Sequence, residues 1–496
     1  MHDREKSDDP VVPAKLPNNT PGGVAEVVEG RGSPEGNAGS PTRSGLSAGP
    51  SAPSGLDRVR QVARRDKDVR FTALLHHVDV DRLRAAYWAL RPKAAPGVDG
   101  VTWHDYGQNL EENLQGLHAR VHCGGYRAKP SLRVYIPKPD GRLRPLGIAA
   151  LEDKLLQRAV VEVLNAIYEQ DFVGFSYGFR PGRSPHDALD ALATAVKRKR
   201  VNWVLDADFR DYFSSLDHQW LERFVEHRIA DRRVLRLIEK WLGAGVIEKG
   251  SWTAFEDGVP QGSSVSPLLA NVYLNYVFDL WADQWRRRHA RGDVVIVRFA
   301  DDFVVGFEHR DDAERFWADL RDRLAKFSLE LNAEKTRLIR FGRFAAQQCQ
   351  QRGLGKPETF RFLGFTHICG RSRTGRFQLK RITDSKRSRA KLHALRGELL
   401  RRRDQPIPDQ GRWLARVLRG HANYYGVPGN QRALYAFRSE VVRHWFMALR
   451  RRSQRSRLTW ERMRRLRDRW LPFLQISHPW PEGRFDVRTQ GRSPVR

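Results

Sequence analysis

Two adjacent aspartates between two apolar, β-branched runs constrain the fold of this chain more than any other feature. The apolar run 294–297 precedes Asp301 and Asp302, and the run 303–307 follows them. This pattern predicts two strands joined by a tight acidic turn. Adjacent carboxylates repel each other, and partial burial raises that cost, which a bound divalent cation would offset. A solvated turn is the alternative for this segment taken alone.

A second acidic segment lies earlier in the chain, over residues 203–213. Its apolar run ends at Asp208, and Asp206 precedes Asp208 by two residues. Successive side chains alternate across a strand, so these two carboxylates are expected on one face. We predict that Asp208 joins Asp301 and Asp302 across neighbouring strands to hold two metal ions, an arrangement suited to phosphoryl displacement. A surface strand with acidic ends is the competing interpretation.

A turn followed by a helix start lies between the two acidic segments. Pro260, Gln261 and Gly262 form a turn signal, and Ser266 and Pro267 then begin a helix with proline in its first turn. Free backbone N–H groups at such a helix start attract phosphate. An ordinary capped helix is the alternative.

These segments together resemble the successive motifs of reverse transcriptases, with Phe299 in place of the commoner tyrosine of the acidic box. The resemblance covers about residues 95–368 and implies a right-hand polymerase of the α+β class, with fingers, an antiparallel-sheet palm and a helical thumb. The motifs that carry it occur in the family's order and lie at 96–102, 136–148, 176–184, 208, 260–267, 299–302, 331–336 and 360–365.

The C-terminal part narrows the resemblance to reverse transcriptases encoded by group II introns. The segment 418–426 and the tract 445–481 are similar to the maturase domain of that family. The chain ends at Arg496 without a Cys/His-rich segment like the endonuclease of many relatives, so second-strand cleavage is not expected of it. Two alternatives are a reverse transcriptase of the retron or diversity-generating type and a maturase that only assists splicing.

The resemblance implies roles for individual residues of the polymerase site. Asp208, Asp301 and Asp302 are the expected catalytic residues, and together with Phe209 they form the expected site for two Mg²⁺ ions. One ion would lower the pKa of the primer 3′-hydroxyl and the other would stabilise the triphosphate and its leaving group. The expected nucleotide-binding residues are Lys138, Arg144, Phe213 (as a gate against the ribose 2′-hydroxyl), Gln261 and Lys335 (as a proton donor to pyrophosphate).

The charge of the chain agrees with a nucleic-acid partner. The net charge is +30, with 88 basic and 58 acidic residues. Residues 448–467 include nine arginines interleaved with apolar positions, which predicts helices lying on RNA, a solvated helix being the alternative. The expected partners are a group II intron RNA, an RNA template, a DNA primer or target and deoxynucleoside triphosphates, with no membrane. The expected RNA-binding residues are Arg419, Arg450, Arg451, Arg452, Arg455 and Arg457.

Composition also predicts the division of the chain. Residues 1–57 are rich in Pro, Gly and Ser and are expected to be a disordered leader. Fingers and palm are expected over 58–370, a helical thumb and maturase domain over 371–482, and a tail over 483–496. The three cysteines fit no zinc-site spacing, so we expect reduced thiols in a cytoplasmic protein.

Overall fold

A computed structural model describes residues 55–137, 143–254, 257–372, 374–452 and 458–484. The N-terminal elements are α1 (Gly55–Arg65), α2 (Val80–Ala89), α3 (Trp103–Gln108), α4 (Leu110–His122), β1 (Ser131–Pro137), β2 (Leu143–Ile148), α5 (Leu151–Asp171) and α6 (Pro185–Arg198). The central elements are β3 (Trp203–Asp208), α7 (His218–Glu226), α8 (Arg232–Leu242), β4 (Val246–Glu248), β5 (Ser251–Thr253), α9 (Ser266–Leu274), α10 (Leu280–Arg288), β6 (Val294–Phe299), β7 (Asp302–Phe307), α11 (Arg310–Ala325), β8 (Arg337–Arg340) and α12 (Ala345–Gln351). The C-terminal elements are β9 (Phe360–Phe362), β10 (Phe365–Arg371), β11 (Phe377–Thr383), α13 (Ser385–Arg401), α14 (Ile407–Tyr425), α15 (Gln431–Arg450) and α16 (Trp460–Trp470).

The chain is a mixed α+β protein, as the sequence predicts, and its strands form separate sheets. The central sheet has the strand order β6-β7-β3-β8, and all of its neighbours are antiparallel. A second sheet has the order β2-β1-β4-β5, and a third has the order β11-β10-β9. The hairpin predicted around Asp301 and Asp302 is β6–β7, which lies at one side of the central sheet.

The central sheet is buried on both faces, and the alternation of its side chains decides which core each residue joins. Leu205 and Val305 pack into the large core that also contains α5 and α9. Val204 and Val304, on the opposite face, pack into a second core with α6 and the third sheet. Asp206 and Asp208 follow Val204 on that second face by the period of two. The carboxylates therefore continue an apolar row toward the open end of the sheet.

The C-terminal helices α13–α16 enclose a third core of their own. Leu414 and Trp445 are fully buried at its centre. The chain after α16 then returns to α6, which packs on the central sheet, and there Asp190 forms ion pairs with Arg381 of β11 and with Arg484. These contacts attach the helical part to the back of the sheet.

The structure also bears on the expected divisions of the chain. Residues 1–54 and 485–496 lie outside the described residues, and α1 begins at Gly55, inside the stretch 1–57 that was expected to lack structure. The expected boundary at residue 370 falls inside the β10–β11 hairpin, so the sheet-containing part extends to Thr383. Within the described ranges, none of the helices combines the length and the apolar composition needed to cross a membrane.

Candidate active site

Asp208 and Asp302 are directly opposite each other in the central sheet. They are the last pair of Cα partners in the β3–β7 ladder. Asp206 lies two residues earlier on the same face of β3, opposite Val304. Opposite residues of an antiparallel pair hold their Cβ atoms about 4.5–5.5 Å apart. The structure thus brings together two of the three carboxylates that the sequence grouped, and Asp301 is next to Asp302 in the adjoining loop.

The loop between β6 and β7 is a tight two-residue connection. Phe299 and Asp302 are paired, which leaves Ala300 and Asp301 as the loop, and Ala300 has a φ of 55°. A non-glycine residue in this region is strained and requires support from its surroundings. The backbone of Gly178 packs directly against the loop and supplies part of this support. The approach is so close that a Cβ atom at Gly178 would come within 2.1 Å of the Ala300 nitrogen.

A fully buried arginine supplies the rest of that support. The guanidinium of Arg298 donates a hydrogen bond of 2.9 Å from Nη1 to the Ala300 carbonyl oxygen and one of 2.7 Å from Nη2 to Ser176 Oγ. Its Nε donates to Asp279 Oδ1 at 2.7 Å, and neither side chain of this ion pair is exposed. Sequence analysis did not identify this network. The signal was present, because Arg298 is the one charged residue in the apolar strand Val294–Phe299.

Two of the partners of Arg298, Asn271 and Asp279, belong to the helix that the Ser-Pro signal predicted and to the turn that continues it. Helix α9 begins at Ser266 with Pro267 in its first turn and continues into a π-helical turn over Asn275–Asp279. Asn271 accepts a hydrogen bond from Arg298 at 3.1 Å and donates one of 2.7 Å to the Gly178 carbonyl oxygen. π-helical turns are frequent at functional sites. Here the turn ends at the buried carboxylate that neutralises Arg298.

Lys335 contacts the central carboxylate directly. Its Nζ atom donates a hydrogen bond to Asp208 Oδ2, and the Asp208 carbonyl oxygen accepts one of 2.8 Å from the Asn332 N–H. Burial lowers the pKa of Lys335, but the hydrogen bond and the charges of Asp208, Asp302 and Asp301 outweigh it, so the pKa is raised. In the described ranges, no three His, Cys, Asp or Glu side chains are arranged to hold a metal ion. The Lys335 ammonium lies beside Asp208, and the carboxylate oxygens there are the hard donors that Mg²⁺ prefers.

Asp206 has a separate partner. Arg337 donates a hydrogen bond of 3.2 Å to Asp206 Oδ2 and another of 3.4 Å to the Thr359 carbonyl oxygen. The pKa of Asp206 is raised to about 6, chiefly because the carboxyl is buried. The charges of Asp302 and Asp208 also raise this pKa, and the hydrogen bond from Arg337 lowers it in part. Asp206 is thus engaged by a cation on the side away from the loop.

Phe209, expected in the metal site, has its side chain in the core. Its ring is 3% exposed and contacts Phe303 at a centroid distance of 5.3 Å. The backbone of Phe209, just after the end of β3, forms an isolated antiparallel β-bridge with that of Leu331. Only its main-chain carbonyl oxygen could therefore act as a ligand.

The structure places the expected nucleotide-binding residues on different elements. Arg144 pairs with Ile136 in the β1–β2 hairpin, whereas Lys138 lies outside the described residues. Phe213 is half-buried, meets Phe179 edge-on at 6.4 Å and accepts the Val259 N–H at its carbonyl oxygen. The Gln261 carbonyl oxygen accepts the Gly147 N–H at 2.7 Å, while its buried Oε1 has no hydrogen-bond partner in the described part of the chain.

Four of the expected RNA-binding arginines lie in the described part of the chain, and their surroundings differ. Arg419 is exposed on α14. The Arg450 guanidinium stacks on Phe446 at 5.7 Å, and Arg452 donates to the Gln405 carbonyl oxygen at 3.0 Å, so both have structural contacts. Arg451 is exposed at the end of α15. Arg455 and Arg457 lie outside the described residues.

Comparison with known proteins shows similarity to reverse transcriptases and to proteins encoded by introns. Residues 136–367 match the family described as reverse transcriptase (RNA-dependent DNA polymerase). The chain is 35% identical to Protein YkfC of Escherichia coli (strain K12) over 311 residues, which cover 56% of this chain and 81% of that protein.

Two further relatives are named for introns. The chain is 33% identical to Group II intron-encoded protein LtrA of Lactococcus lactis subsp. cremoris over 222 residues, which cover 44% of this chain and 37% of LtrA. It is 32% identical over 128 residues to Nuclear intron maturase 3, mitochondrial, of Arabidopsis thaliana, which cover 25% of this chain and 17% of that protein. The chain thus spans well under half of the length of either intron-associated relative.

Proposed function

The chain belongs to the group II intron reverse transcriptase and maturase family, and from that premise we propose that it is an RNA-directed DNA polymerase that also binds its intron RNA to assist splicing and mobility. The pairing of Asp208 with Asp302 beside Asp301 is the single observation that carries the polymerase assignment. The similarity to intron-encoded proteins favours this class over a retron or diversity-generating enzyme.

Members of this family use divalent metal ions, and the proposed ion is Mg²⁺. Asp208, Asp301 and Asp302, with the main-chain carbonyl of Phe209, would hold two such ions. When bound, the ions supply charge that stabilises the attacking and the leaving oxygens of the phosphoryl transfer. The ammonium group of Lys335 donates a proton in a hydrogen bond to Asp208 Oδ2, beside the proposed ions. That proton would be available to the departing pyrophosphate.

The chain's own residues would select and orient the nucleotide. Arg144, on the β1–β2 hairpin, would grip the triphosphate through a bidentate guanidinium, and Lys138 would contribute a second charge. The Oε1 atom of Gln261 has no hydrogen-bond partner among the described residues, which supports a place for Gln261 in the nucleotide pocket. Phe213, whose carbonyl oxygen accepts a hydrogen bond from the Val259 N–H, would exclude a ribose 2′-hydroxyl sterically.

In this proposal the elements have the roles of a right hand. The β1–β2 hairpin and the helices around it form the fingers, the central sheet forms the palm, and α13–α16 form the thumb and maturase region. The net charge of +30 supports partners with phosphate backbones, namely the intron RNA, the template and the primer. Arg419 and Arg451, exposed on the C-terminal helices, are the proposed phosphate contacts there.

Primer extension on an RNA template tests the polymerase proposal. We expect a radiolabelled DNA primer to be extended by the purified protein with Mg²⁺ and not in excess chelator, and we expect Asp301→Asn to abolish extension. Glu461→Gln, at an exposed ion pair on α16, is the control that should extend normally. An Asp301→Asn protein as active as the wild type would refute the assignment of the site.

A further inference from the structure

A cleft in the C-terminal helices combines aromatic rings with arginines. It has a volume of about 650 Å³, and α14, α16 and the chain after α13 enclose it. Its walls include Arg412, Trp413, Arg416, Arg419, Arg469 and Trp470. A volume of this size is within the usual range for sites that take small ligands or single residues of a polymer.

The aromatic part of the cleft is built into the fold. Trp470, the last residue of α16, lies against the backbone of α14, where a Cβ atom at Gly411 would come within 2.6 Å of its Cγ atom. Trp413 is half-buried, packs against the third core and carries the Arg402 guanidinium 4.9 Å from its ring centroid. Each ring is therefore fixed by packing on one side while it lines the cleft on the other, so ordering these side chains for a ligand costs little entropy.

The cleft is lined by five arginines and one carboxylate, that of Asp409, so its charge is positive overall. Arg412, Arg416 and Arg419 are spaced by four and three residues on α14, which places them on one helix face. Arg412 pairs with Asp409, but within the described ranges neither Arg416 nor Arg419 forms an ion pair with a carboxylate. Like charges at this spacing destabilise a helix by a few tenths of a kcal/mol. An anionic ligand would remove that cost.

The wall formed by α16 also combines an indole ring with arginines. The Arg469 guanidinium lies 5.3 Å from the Trp470 ring centroid, and that of Arg412 lies 5.9 Å from the same centroid. Planar guanidinium groups beside indole rings can bind phosphate and stack on a base at once. A paired duplex presents its phosphates but keeps its bases stacked inside, so it would leave the tryptophans unused.

We propose that this cleft binds an unpaired nucleotide of single-stranded RNA, with the base stacked against Trp413 or Trp470 and the adjacent phosphates held by Arg416, Arg419 and Arg469. The inference rests on the proposed function, because the RNA in question is the intron that the protein assists. It assigns to the C-terminal helices a specific contact with an unpaired base in addition to general attraction for phosphate.

Fluorescence anisotropy on the full chain tests the cleft. The polymerase site is first saturated with an unlabelled RNA–DNA primer–template hybrid, and a short fluorescein-labelled oligouridylate is then titrated with protein. We expect Trp413→Ala to weaken binding about tenfold, in line with stacking energies of about 1–3 kcal/mol per base. Because stacking carries no net charge, the salt dependence of this variant should equal that of the wild type.

The arginines are tested by a variant that spares the core. Arg416→Gln combined with Arg419→Gln changes only exposed side chains, so the protein should remain folded. Loss of two phosphate contacts should reduce the slope of log affinity against log salt by about 1.4, at roughly 0.7 per phosphate of a single strand. The matched control is Arg232→Gln combined with Arg236→Gln, an exposed pair on α8, which should bind as the wild type does.

Three outcomes would overturn the proposal. They are an α8 control pair that loses as much affinity as the α14 pair, an α14 pair that binds as tightly as the wild type, and a double-stranded RNA that competes as well as the single strand. Primer extension by the wild-type protein is measured in parallel. A protein that extends no primer would count against the polymerase assignment, while the anisotropy result would still decide the cleft.

Discussion

Arg298 and Asp279 form an ion pair in which neither side chain is exposed to solvent, and the same guanidinium binds the carbonyl oxygen of Ala300 in the loop that carries Asp301. Arg298, whose charge is neutralised by Asp279, thus stabilises the strained loop of the candidate active site through a hydrogen bond to its backbone. Because Asp279 is at the end of a π-helical turn, the helix after the Ser-Pro motif and the acidic hairpin are tied into one unit.

The first prediction concerns the stability that this pair provides. Asp279→Asn leaves the Arg298 charge buried without its anion, which should lower the free energy of unfolding by roughly 3–5 kcal/mol. Urea denaturation followed by circular dichroism measures the loss. The control is Glu461→Gln, whose partner Arg465 is 78% exposed, and it should cost less than about 1 kcal/mol. Equal losses in the two variants would show that burial of the pair does not matter.

The second prediction separates the two acidic residues of β3. Asp208→Asn removes the carboxylate opposite Asp302 and should reduce the rate of primer extension on the order of a thousandfold, equivalent to about 4 kcal/mol of lost charge stabilisation. Asp206→Asn should have a much smaller effect, because Asp206 pairs with Arg337 on the side away from the loop. Single-turnover extension measures both rates, and equal inactivation would show that the metal ligand was misassigned.

The third prediction concerns the choice of sugar. Phe213→Ala should reduce the preference for deoxynucleotides over ribonucleotides at least about tenfold, because removal of the half-buried ring opens space beside the proposed nucleotide pocket. Incorporation of each nucleotide class opposite one template base gives the ratio. Phe224→Ala on α7 is the matched control, since Phe224 also packs against the large core but is not among the proposed nucleotide contacts. Unchanged selectivity in the Phe213 variant would remove the gate from the mechanism.

The fourth prediction concerns a buried carboxyl in the N-terminal part. Burial raises the pKa of Asp153 from 3.8 to about 6, against hydrogen bonds from the Tyr126 hydroxyl and the Lys129 N–H that lower it. The folded state therefore binds more protons than the unfolded state between those values, so this group's contribution to stability falls as pH rises from about 4 to above 6.

Asp153→Asn should remove that pH dependence. The stability of the variant relative to the wild type should increase by up to about 3 kcal/mol between about pH 4 and pH 7.5, at ~1.4 kcal/mol per pKa unit. Chemical denaturation at a series of pH values gives the difference. Asp322→Asn, at an exposed position on α11, should shift stability by no more than about 0.5 kcal/mol at any pH. A pH-independent difference for Asp153→Asn would contradict the raised pKa.

Local patterns predicted the elements that carry the site. The apolar runs around the aspartates are strands β3, β6 and β7, and the Ser-Pro signal starts α9. Each depends on periodicity or on a capping residue within a few positions, which a sequence displays directly. The pairing of β10 with β11, which spans the expected boundary at residue 370, was not predicted, because it depends on partners across a turn.

The sequence alone determined which side chains can do the chemistry, since the identity, order and spacing of the carboxylates and of the motifs around them are local facts. Only the tertiary structure decided that Asp208 is opposite Asp302, that Lys335 contacts Asp208, and that Arg298 is neutralised by Asp279. Register and buried ion pairing arise from packing between segments far apart in the chain, where burial makes an unpaired charge too costly to tolerate.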